Sequence, residues 1–319
     1  MVLGRRRLLK RSLSDVTSVR PEELRSDSVT ASPQAPGVVI PSIVPARSQV
    51  ICIASGKGGT GKTVLATNLS VLLAREGLNV LLFDADLGLA NSHLLLGVQP
   101  TGDISEVLSG QRRLADIVVE CHHGLRLVPG GSGFSELAEL GDRHFRYLAG
   151  RMRELEDSTD IVLVDLSAGI SPQVMRFLVA SHEIVLVTTP DITALIDAYA
   201  VIKSLAKVRT DVRVRLLFNQ VRKDTDVRSA YGKLKRIVNK HLGEAQVSLF
   251  GWLPHNWYVH DSVVRRRPVA LLHPMCLVTR RLQEMACRIR WGHGRWRADQ
   301  MVPGRRQPSF FAQLEQMVF

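Results

Sequence analysis

The stretch ICIASGKGGTGKTVLATNL, residues 51–69, decides how the rest of the chain is interpreted. An apolar run, Val50–Ala54, leads into the glycine-rich octapeptide Gly56–Thr63, and leucines at helical spacing follow. A strand, a glycine-rich turn and a helix in this order favour a phosphate site, because glycines let backbone N–H groups face an anion and the helix N-terminus adds positive charge. A glycine-rich turn without a ligand is the alternative, and the flanking strand and helix patterns argue against it.

Separate residues of this loop are expected to have separate tasks. The Gly-x4-Gly-Lys-Thr spacing predicts that Lys62 reaches the β and γ phosphates of ATP and that the Thr63 hydroxyl holds Mg²⁺. The remaining contacts to the nucleotide are expected from Gly56, Gly58, Gly59, Thr60 and Gly61.

Short apolar runs recur along the chain and alternate with helical patterns. They are Val80–Phe83, Ile161–Val164, Ile184–Val187, Val214–Phe218 and Val247–Phe250. Nearly uninterrupted Val, Ile and Leu is typical of parallel strands that helices cover on both faces. Thr63–Arg75 and Asp197–Lys207 have the spacing of such helices. The pattern predicts an α/β fold with a doubly wound, mostly parallel sheet that binds ligands at the carboxyl ends of its strands.

Aspartates close two of the predicted strands. Asp84 and Asp86 end LLFDAD, and Asp165 ends IVLVD. An apolar strand that ends in Asp is a Walker B pattern, whose carboxylate helps to hold hydrated Mg²⁺. Asp84 and Asp165 are therefore predicted, with Thr63, to lie near the metal. The alternative for each Asp is a turn or cap residue.

A second lysine, Lys57, opens the glycine-rich loop. A lysine at this place marks the deviant Walker A motif of the MinD/ParA group of ATPases, which the chain resembles over about residues 48–275. The resemblance implies ATP hydrolysis and an ATP-bridged homodimer, in which Lys57 reaches the nucleotide of the facing subunit. It also implies that Asp86 orients the attacking water, so the predicted catalytic residues are Lys57, Lys62 and Asp86.

Two positions further along resemble the adenine contacts of this group. Asn219 follows one predicted strand, and Pro254 lies in the segment GWLPHN. Turn-forming Asn and Pro are the alternative for both residues.

Longer segments resemble one branch, the flagellar-number regulators FlhG, FleN and YlxH. These segments are DADLGLANSHLLLG, GLRLVPGGSGFSELAEL, DLSAGIS and VTTPDITALIDAYAVIKSL. The resemblance implies a cytoplasmic switch in which ATP drives dimerisation and attaches a C-terminal amphipathic helix to the inner face of the cell membrane. Flagellar proteins are implied partners, whereas residues 1–49 lack the usual motif for an FlhF-type GTPase.

The ends of the chain carry most of the net charge of +12. Residues 1–50 contain 8 Lys/Arg against 4 Asp/Glu, and residues 260–319 contain 11 against 4. Basic ends favour an acidic surface, which could be anionic lipid, nucleic acid or protein, or they are solvated tails. We predict a flexible basic arm over 1–48, an ATPase domain over 49–290 and a basic tail over 291–319.

The tail is expected to end in a short amphipathic helix. SFFAQLEQMVF places Phe310, Phe311, Leu314, Met317 and Val318 on one helical face. Such a face suits reversible binding to anionic lipid. A terminal helix packed on its own domain is the alternative.

Other classes of protein are disfavoured by the sequence. No apolar run reaches the roughly 18 residues that a membrane span needs. The four cysteines form no CxxC pair, so neither a disulfide framework nor a metal-cluster carrier is indicated. Two functional alternatives stay open: a ParA- or MinD-like ATPase that positions DNA or the septum, and a nucleotide-binding scaffold or anti-activator with little hydrolysis.

Overall fold

The structure, a computed structural model, describes residues 48–131, 141–156, 158–243, 245–300 and 309–317, without the side chains of 293–300. The strands in this part of the chain are β1 (Gln49–Ser55), β2 (Val80–Ala85), β3 (Val119–Glu120), β4 (Arg126–Val128), β5 (Ile161–Ala168), β6 (Glu183–Thr188), β7 (Arg213–Val221) and β8 (Gln246–Pro254). They form one sheet in the order β3-β4-β2-β5-β1-β6-β7-β8. Every neighbouring pair is parallel except β3 and β4.

Helices lie between the strands and cover both faces of the sheet. They are α1 (Lys62–Arg75), α2 (Ser92–Leu96), α3 (Ile104–Leu108), α4 (Leu114–Ile117), α5 (Asp142–Glu156), α6 (Pro172–Ala180), α7 (Ile192–Ala206), α8 (Asp224–Leu242), α9 (Trp257–Val264), α10 (Val269–Leu272), α11 (Leu277–Gln300) and α12 (Phe310–Gln316). One core lies between the sheet and α5, α6, α7, α8 and α12, and the other lies under α1, α10 and α11. The predicted doubly wound α/β fold is confirmed.

All six predicted strands are present, and most extend by one to four residues at one or both ends. The added residues are often polar: Glu183 and Arg213 lie at strand ends that are less buried than the strand centres, whereas Gln49 is buried. No apolar run in the sequence marks β3 and β4, because strands of two and three residues are too short for one to stand out.

The terminal helix α12 packs on its own domain, against α5 and α6. Phe310 and Phe311 are fully buried, and Leu314 is nearly so. Ser309 caps the helix by accepting a hydrogen bond from the backbone N–H of Ala312. Of the two alternatives for the amphipathic face, the structure therefore has the one that buries it, and Val318 lies outside the described residues.

The helix α11 runs through the predicted boundary at 290–291, so no break separates domain from tail at that point. The predicted arm, except for Ser48, lies outside the part of the chain that the structure describes. Within the described residues, no helix has both the length and the apolar character that crossing a membrane requires.

Candidate nucleotide and magnesium site

The candidate site lies at the carboxyl ends of the central parallel strands. The loop Gly56–Gly61 connects β1 to α1, and Lys62 is the first residue of that helix. Gly59 and Gly61 have positive φ angles, 75° and 91°. A Cβ on Gly61 would lie 2.3 Å from Nδ2 of Asn219, so only glycine fits there. The loop therefore has the conformation and the place in the fold that a phosphate-binding nest requires.

The end of β7 holds this loop through two side-chain amides. Asn219 Nδ2 donates to the carbonyl of Thr60 at 2.8 Å, and Gln220 Nε2 donates to the carbonyl of Gly59 at 3.0 Å. Gln220 has a positive φ of 56°, and its N–H donates to Asn219 Oδ1 at 2.9 Å. This geometry fixes two carbonyls of the loop toward β7.

Asn219 is predicted from the sequence to contact adenine, whereas Gln220 is not predicted as a site residue. No motif in the sequence signals the Gln220 contact, because Gln220 lies at a register shift in the pairing of β7 with β8, between Phe218 and Val221. The Asn219 side chain lines the cleft, but its Nδ2 donates to the loop carbonyl of Thr60 and its Oδ1 accepts from the N–H of Gln220. Its contact to adenine stays a prediction.

A cleft of about 440 Å³ opens beside the loop. Lys62 and Thr63 line one end, and residues around the start of α9 line the other, namely Pro254, His255, Asn256, Val259 and His260. This volume falls within the range of small-molecule sites, about 300–1,000 Å³. The structure thus brings the predicted phosphate residues and the predicted base residue Pro254 to one cleft.

Asp84 and Asp165 are direct neighbours across β2 and β5. Asp84 is buried, and its Oδ2 accepts hydrogen bonds from the N–H groups of Asn91 and Ser92 at 3.1 and 2.9 Å. Its Oδ1 accepts from the N–H of Asp86 at 3.3 Å. Burial raises the pKa of Asp84 to about 6, and these backbone hydrogen bonds limit the rise. Asp84 therefore fixes the segment that carries Asp86, and its place at the metal stays a prediction.

Asp165 is buried, and neither of its carboxylate oxygens accepts a well-aligned hydrogen bond within the described part of the chain. Burial raises the pKa of Asp165 to about 8, and the Asp84 carboxyl adds to the rise. The Thr63 hydroxyl and the Lys62 ammonium lie close enough to offset it in part. A buried carboxylate with open oxygens beside a hydroxyl fits a hard cation such as Mg²⁺.

Asp86 lies where the chain turns out of β2, and its side chain is about half buried. Burial raises the pKa of Asp86, and the nearby Lys62 ammonium opposes the rise. Asp86 is thus held near the phosphate lysine by the loop that Asp84 fixes. This position suits a carboxylate that accepts a proton from, or orients, a water molecule.

Lys57 lies on the surface, on the side of the loop that faces the start of α7. Its Nζ donates to Thr193 Oγ1 at 3.4 Å, at the start of α7. The large apolar residues Ile192 and Ile196 flank this contact and are 70% and 61% exposed. The lysine therefore lies beside an apolar surface.

Comparison with known proteins places the chain beside nucleotide-binding proteins. Residues 51–269 match the family model of the CobQ/CobB/MinD/ParA nucleotide binding domain. The chain is 35% identical to the antiactivator FleN of Pseudomonas aeruginosa over 221 residues, which is 69% of this chain and 79% of FleN. It is 31% identical to the flagellum site-determining protein YlxH of Helicobacter pylori over 240 residues, 75% of this chain and 81% of YlxH.

Solved structures agree with this placement. The cell division ATPase MinD of Pyrococcus furiosus is similar with a TM-score of 0.65 and 27% identity, covering 76% of this chain and 99% of that one. The septum site-determining protein MinD of Pyrococcus horikoshii, solved with Mg-ADP, has a TM-score of 0.63 and 25% identity, covering 76% and 96%.

Proposed function

The chain belongs to the MinD/ParA family of nucleotide-binding ATPases, and from that premise we propose that it is an ATP-driven switch that regulates the number or placement of flagella. One observation carries the nucleotide part of the proposal. Lys62 and Thr63 line one end of a cleft of nucleotide size, and the buried carboxylate of Asp165 lies close to both of them. The flagellar part rests on the similarity to FleN and YlxH.

The chain's own residues have distinct tasks in the proposed reaction. The loop amides and Lys62 bind the phosphates of ATP, and Thr63 and Asp165 hold Mg²⁺, which when bound neutralises phosphate charge. Asp86 orients the water that attacks the γ phosphate. Asp84 keeps that loop in place through its three backbone hydrogen bonds. Burial beside Asp84 raises the pKa of Asp165 to about 8, so a bound cation would favour its ionised form at neutral pH.

We further propose that ATP closes two copies face to face. Lys57 lies on the surface beside the exposed Ile192 and Ile196, and Ile170 and Leu89 on the neighbouring loops are also exposed. Exposed large apolar side chains around a nucleotide site are typical of a protein interface. A facing subunit would cover them and bring its own Lys57 to the nucleotide.

Membrane binding, as this branch of the family implies, requires α12 to leave the domain. Phe310, Phe311 and Leu314 are the residues that would enter a lipid surface, and they are buried against α5 and α6. The ATP-free monomer should therefore bind lipid weakly. ATP-driven dimerisation would favour attachment, because two linked anchors bind far more tightly than one.

A second function deserves a test because FleN is named an antiactivator. As an antiactivator, the chain would act by nucleotide-dependent binding to a regulator of transcription, with hydrolysis only ending the bound state. Replacing Asp86 separates the two functions, because it should block hydrolysis while leaving ATP binding.

The proposed function is tested by counting flagella with electron microscopy in cells that carry wild type, Lys62→Ala or Asp86→Ala as the sole copy. We expect both variants to change the number or position of flagella, and only Lys62→Ala to lose ATP binding in the purified protein. The purified wild type should hydrolyse ATP faster with vesicles of anionic lipid. Flagella unchanged in the Lys62→Ala cells would refute the proposal.

A further inference from the structure

The helix α9 buries little of its own apolar surface. Ser262 is its only buried residue, whereas Trp257 and Val264 are each 67% exposed and Tyr258 and Val263 are also exposed. Helices of globular domains normally bury one apolar face against the core. A helix whose Trp, Tyr and Val side chains face solvent marks an interaction surface.

Three consecutive exposed arginines, Arg265 to Arg267, follow this helix in the turn to α10. The turn is fixed: the backbone N–H groups of these arginines donate to the carbonyls of Asp261, Val263 and Ser262. A Cβ on Gly97, at the end of α2, would lie 2.7 Å from the carbonyl oxygen of Arg266, so the turn packs tightly on its neighbour. The arginines are therefore presented from a rigid frame.

The loop before α11 continues this surface. The rings of Tyr258 and His273 lie 4.4 Å apart, and His273 Nε2 is 2.8 Å from Asp261 Oδ2. Met275, two residues further on, is 81% exposed, and Leu277 is also exposed. We call the exposed side chains of Trp257, Tyr258, Val263, Val264, Arg266, Arg267, Met275, Leu277 and Arg280 the α9 surface.

The arginines of this region divide into two groups. Residues 257–292 contain seven Arg, no Lys and two acidic residues. Four of the arginines have partners within the fold: Arg265 pairs with Asp261, Arg281 stacks on Trp252, Arg288 donates to the Phe250 carbonyl, and Arg290 pairs with Glu76. Within the part of the chain that the structure describes, Arg266, Arg267 and Arg280 form no ion pair.

We propose that the α9 surface docks an acidic, partly apolar segment of another protein. Protein interfaces and the residues that dominate their binding energy are enriched in Trp, Tyr, Met and Arg and depleted in Lys relative to the rest of the protein surface. The α9 surface has this composition. The planar guanidinium groups of Arg266 and Arg267 pair with carboxylates in two-point geometry, and the apolar side chains between them bury the partner's own apolar residues. Exposed Val, Met and Leu side chains favour a protein over nucleic acid, whose bases stack on aromatic rings.

This surface shares a helix with the nucleotide cleft. Asn256, Val259 and His260, at the start and middle of α9, line the cleft, whereas Val264 and the arginines lie at its far end. A segment bound to the α9 surface would therefore contact the same helix that lines the nucleotide cleft, and the ring of Trp257 lies 5.0 Å from that of the cleft residue His260.

The test uses the full chain and a fluorescent random copolymer of Glu and Tyr in a ratio of four to one, with poly-Glu of the same length as a probe without apolar groups. Binding is followed by anisotropy at near-physiological salt, which weakens contacts that are only electrostatic. We expect the Glu–Tyr copolymer to bind more tightly than poly-Glu. Trp257→Ala and the double variant Arg266→Ala/Arg267→Ala should each weaken its binding at least tenfold.

Matched controls carry the same changes elsewhere. Trp291→Ala removes an exposed Trp 14 residues beyond Leu277, roughly 21 Å along α11, and Arg228→Ala/Arg236→Ala removes two charges from α8. Neither control should weaken binding by more than about twofold. Thermal melting of every variant verifies the fold.

Three results would overturn the proposal. In the first, the controls weaken copolymer binding as much as the α9 variants do, so that only net charge matters. In the second, the α9 variants abolish ATP-dependent dimerisation in light scattering, so that a second copy covers the surface. In the third, the α9 variants lose binding to vesicles of half phosphatidylglycerol or to duplex DNA but keep binding to the copolymer.

Discussion

Weakening the groove between α5 and α6, against which α12 packs, should make lipid binding independent of ATP. Leu148 on α5 is buried and, with Phe311 and Leu314, lines a cavity of about 10 Å³, too small for more than one water molecule. Leu148→Ala removes groove contacts and leaves the lipid-binding side chains of α12 intact. It therefore tests whether docking of the helix restrains the attachment.

The magnitude follows from what α12 buries. Each of the three side chains Phe310, Phe311 and Leu314 contributes about 1.5–3 kcal/mol, so docking is worth at most about 5–9 kcal/mol before the regained freedom of a released helix is counted. A buried Leu→Ala change costs about 2–5 kcal/mol. If 2–3 kcal/mol of that cost weakens docking, the released population rises about 30- to 150-fold.

The assay is co-sedimentation with vesicles of half phosphatidylglycerol, with ATP, with ADP and without nucleotide. We expect Leu148→Ala to gain binding without nucleotide and to gain little with ATP, which already favours release. Leu205→Ala, an equally buried Leu on α7, is the control for general destabilisation. Equal vesicle binding by Leu148→Ala and Leu205→Ala would refute the reasoning.

Three further predictions concern the nucleotide site. Lys57→Ala should bind ATP nearly as well as wild type but stay monomeric in light scattering with ATP, because Lys57 lies on the surface beside α7; an ATP-dependent dimer would contradict this. Gln220→Glu should weaken ATP binding about tenfold in calorimetry, since it replaces the donor to the Gly59 carbonyl with a repelling carboxylate, whereas Gln246→Glu, at the amino-terminal end of β8 and so at the opposite end of the strand from the cleft, should not. Asp165→Asn should change the pH dependence of stability without nucleotide and metal. The folded-state pKa of Asp165 is raised from 3.8 to about 8. The protonated side chain therefore contributes fully to the stability of the fold below about pH 4, and this contribution is lost as pH rises to about 8. The variant should therefore melt at a higher temperature than wild type at pH 8 and near the same temperature at pH 4. Equal melting temperatures at pH 8 would show that ionised Asp165 does not destabilise the fold.

The sequence was most informative where the chain is buried and repetitive. Six strands could be predicted because the strands of a parallel sheet that is covered on both faces are nearly uninterrupted runs of Val, Ile and Leu. The short β3 and β4 could not, because two or three residues carry no period. The loop Gly56–Thr63 was readable because its chemistry is local in sequence.

Contacts between distant segments could not be predicted in the same way. The hydrogen bond from Gln220 to the Gly59 carbonyl joins residues 161 positions apart. It depends on the positive φ of Gln220, which the residue type does not predict. The burial of α12 likewise depends on a groove between α5 and α6 that the sequence of the helix does not describe. An amphipathic pattern specifies an apolar face, and tertiary structure decides whether protein or lipid covers it.

The central claim is that Lys62, Thr63 and Asp165 hold the phosphates and magnesium of one ATP. Calorimetric titration of ATP into wild type and Asp165→Asn, each with and without Mg²⁺, tests it most directly. We expect Mg²⁺ to strengthen ATP binding to wild type and to have little effect on ATP binding to the variant. Absence of ATP binding to wild type, or an equal gain from Mg²⁺ in both proteins, would contradict it.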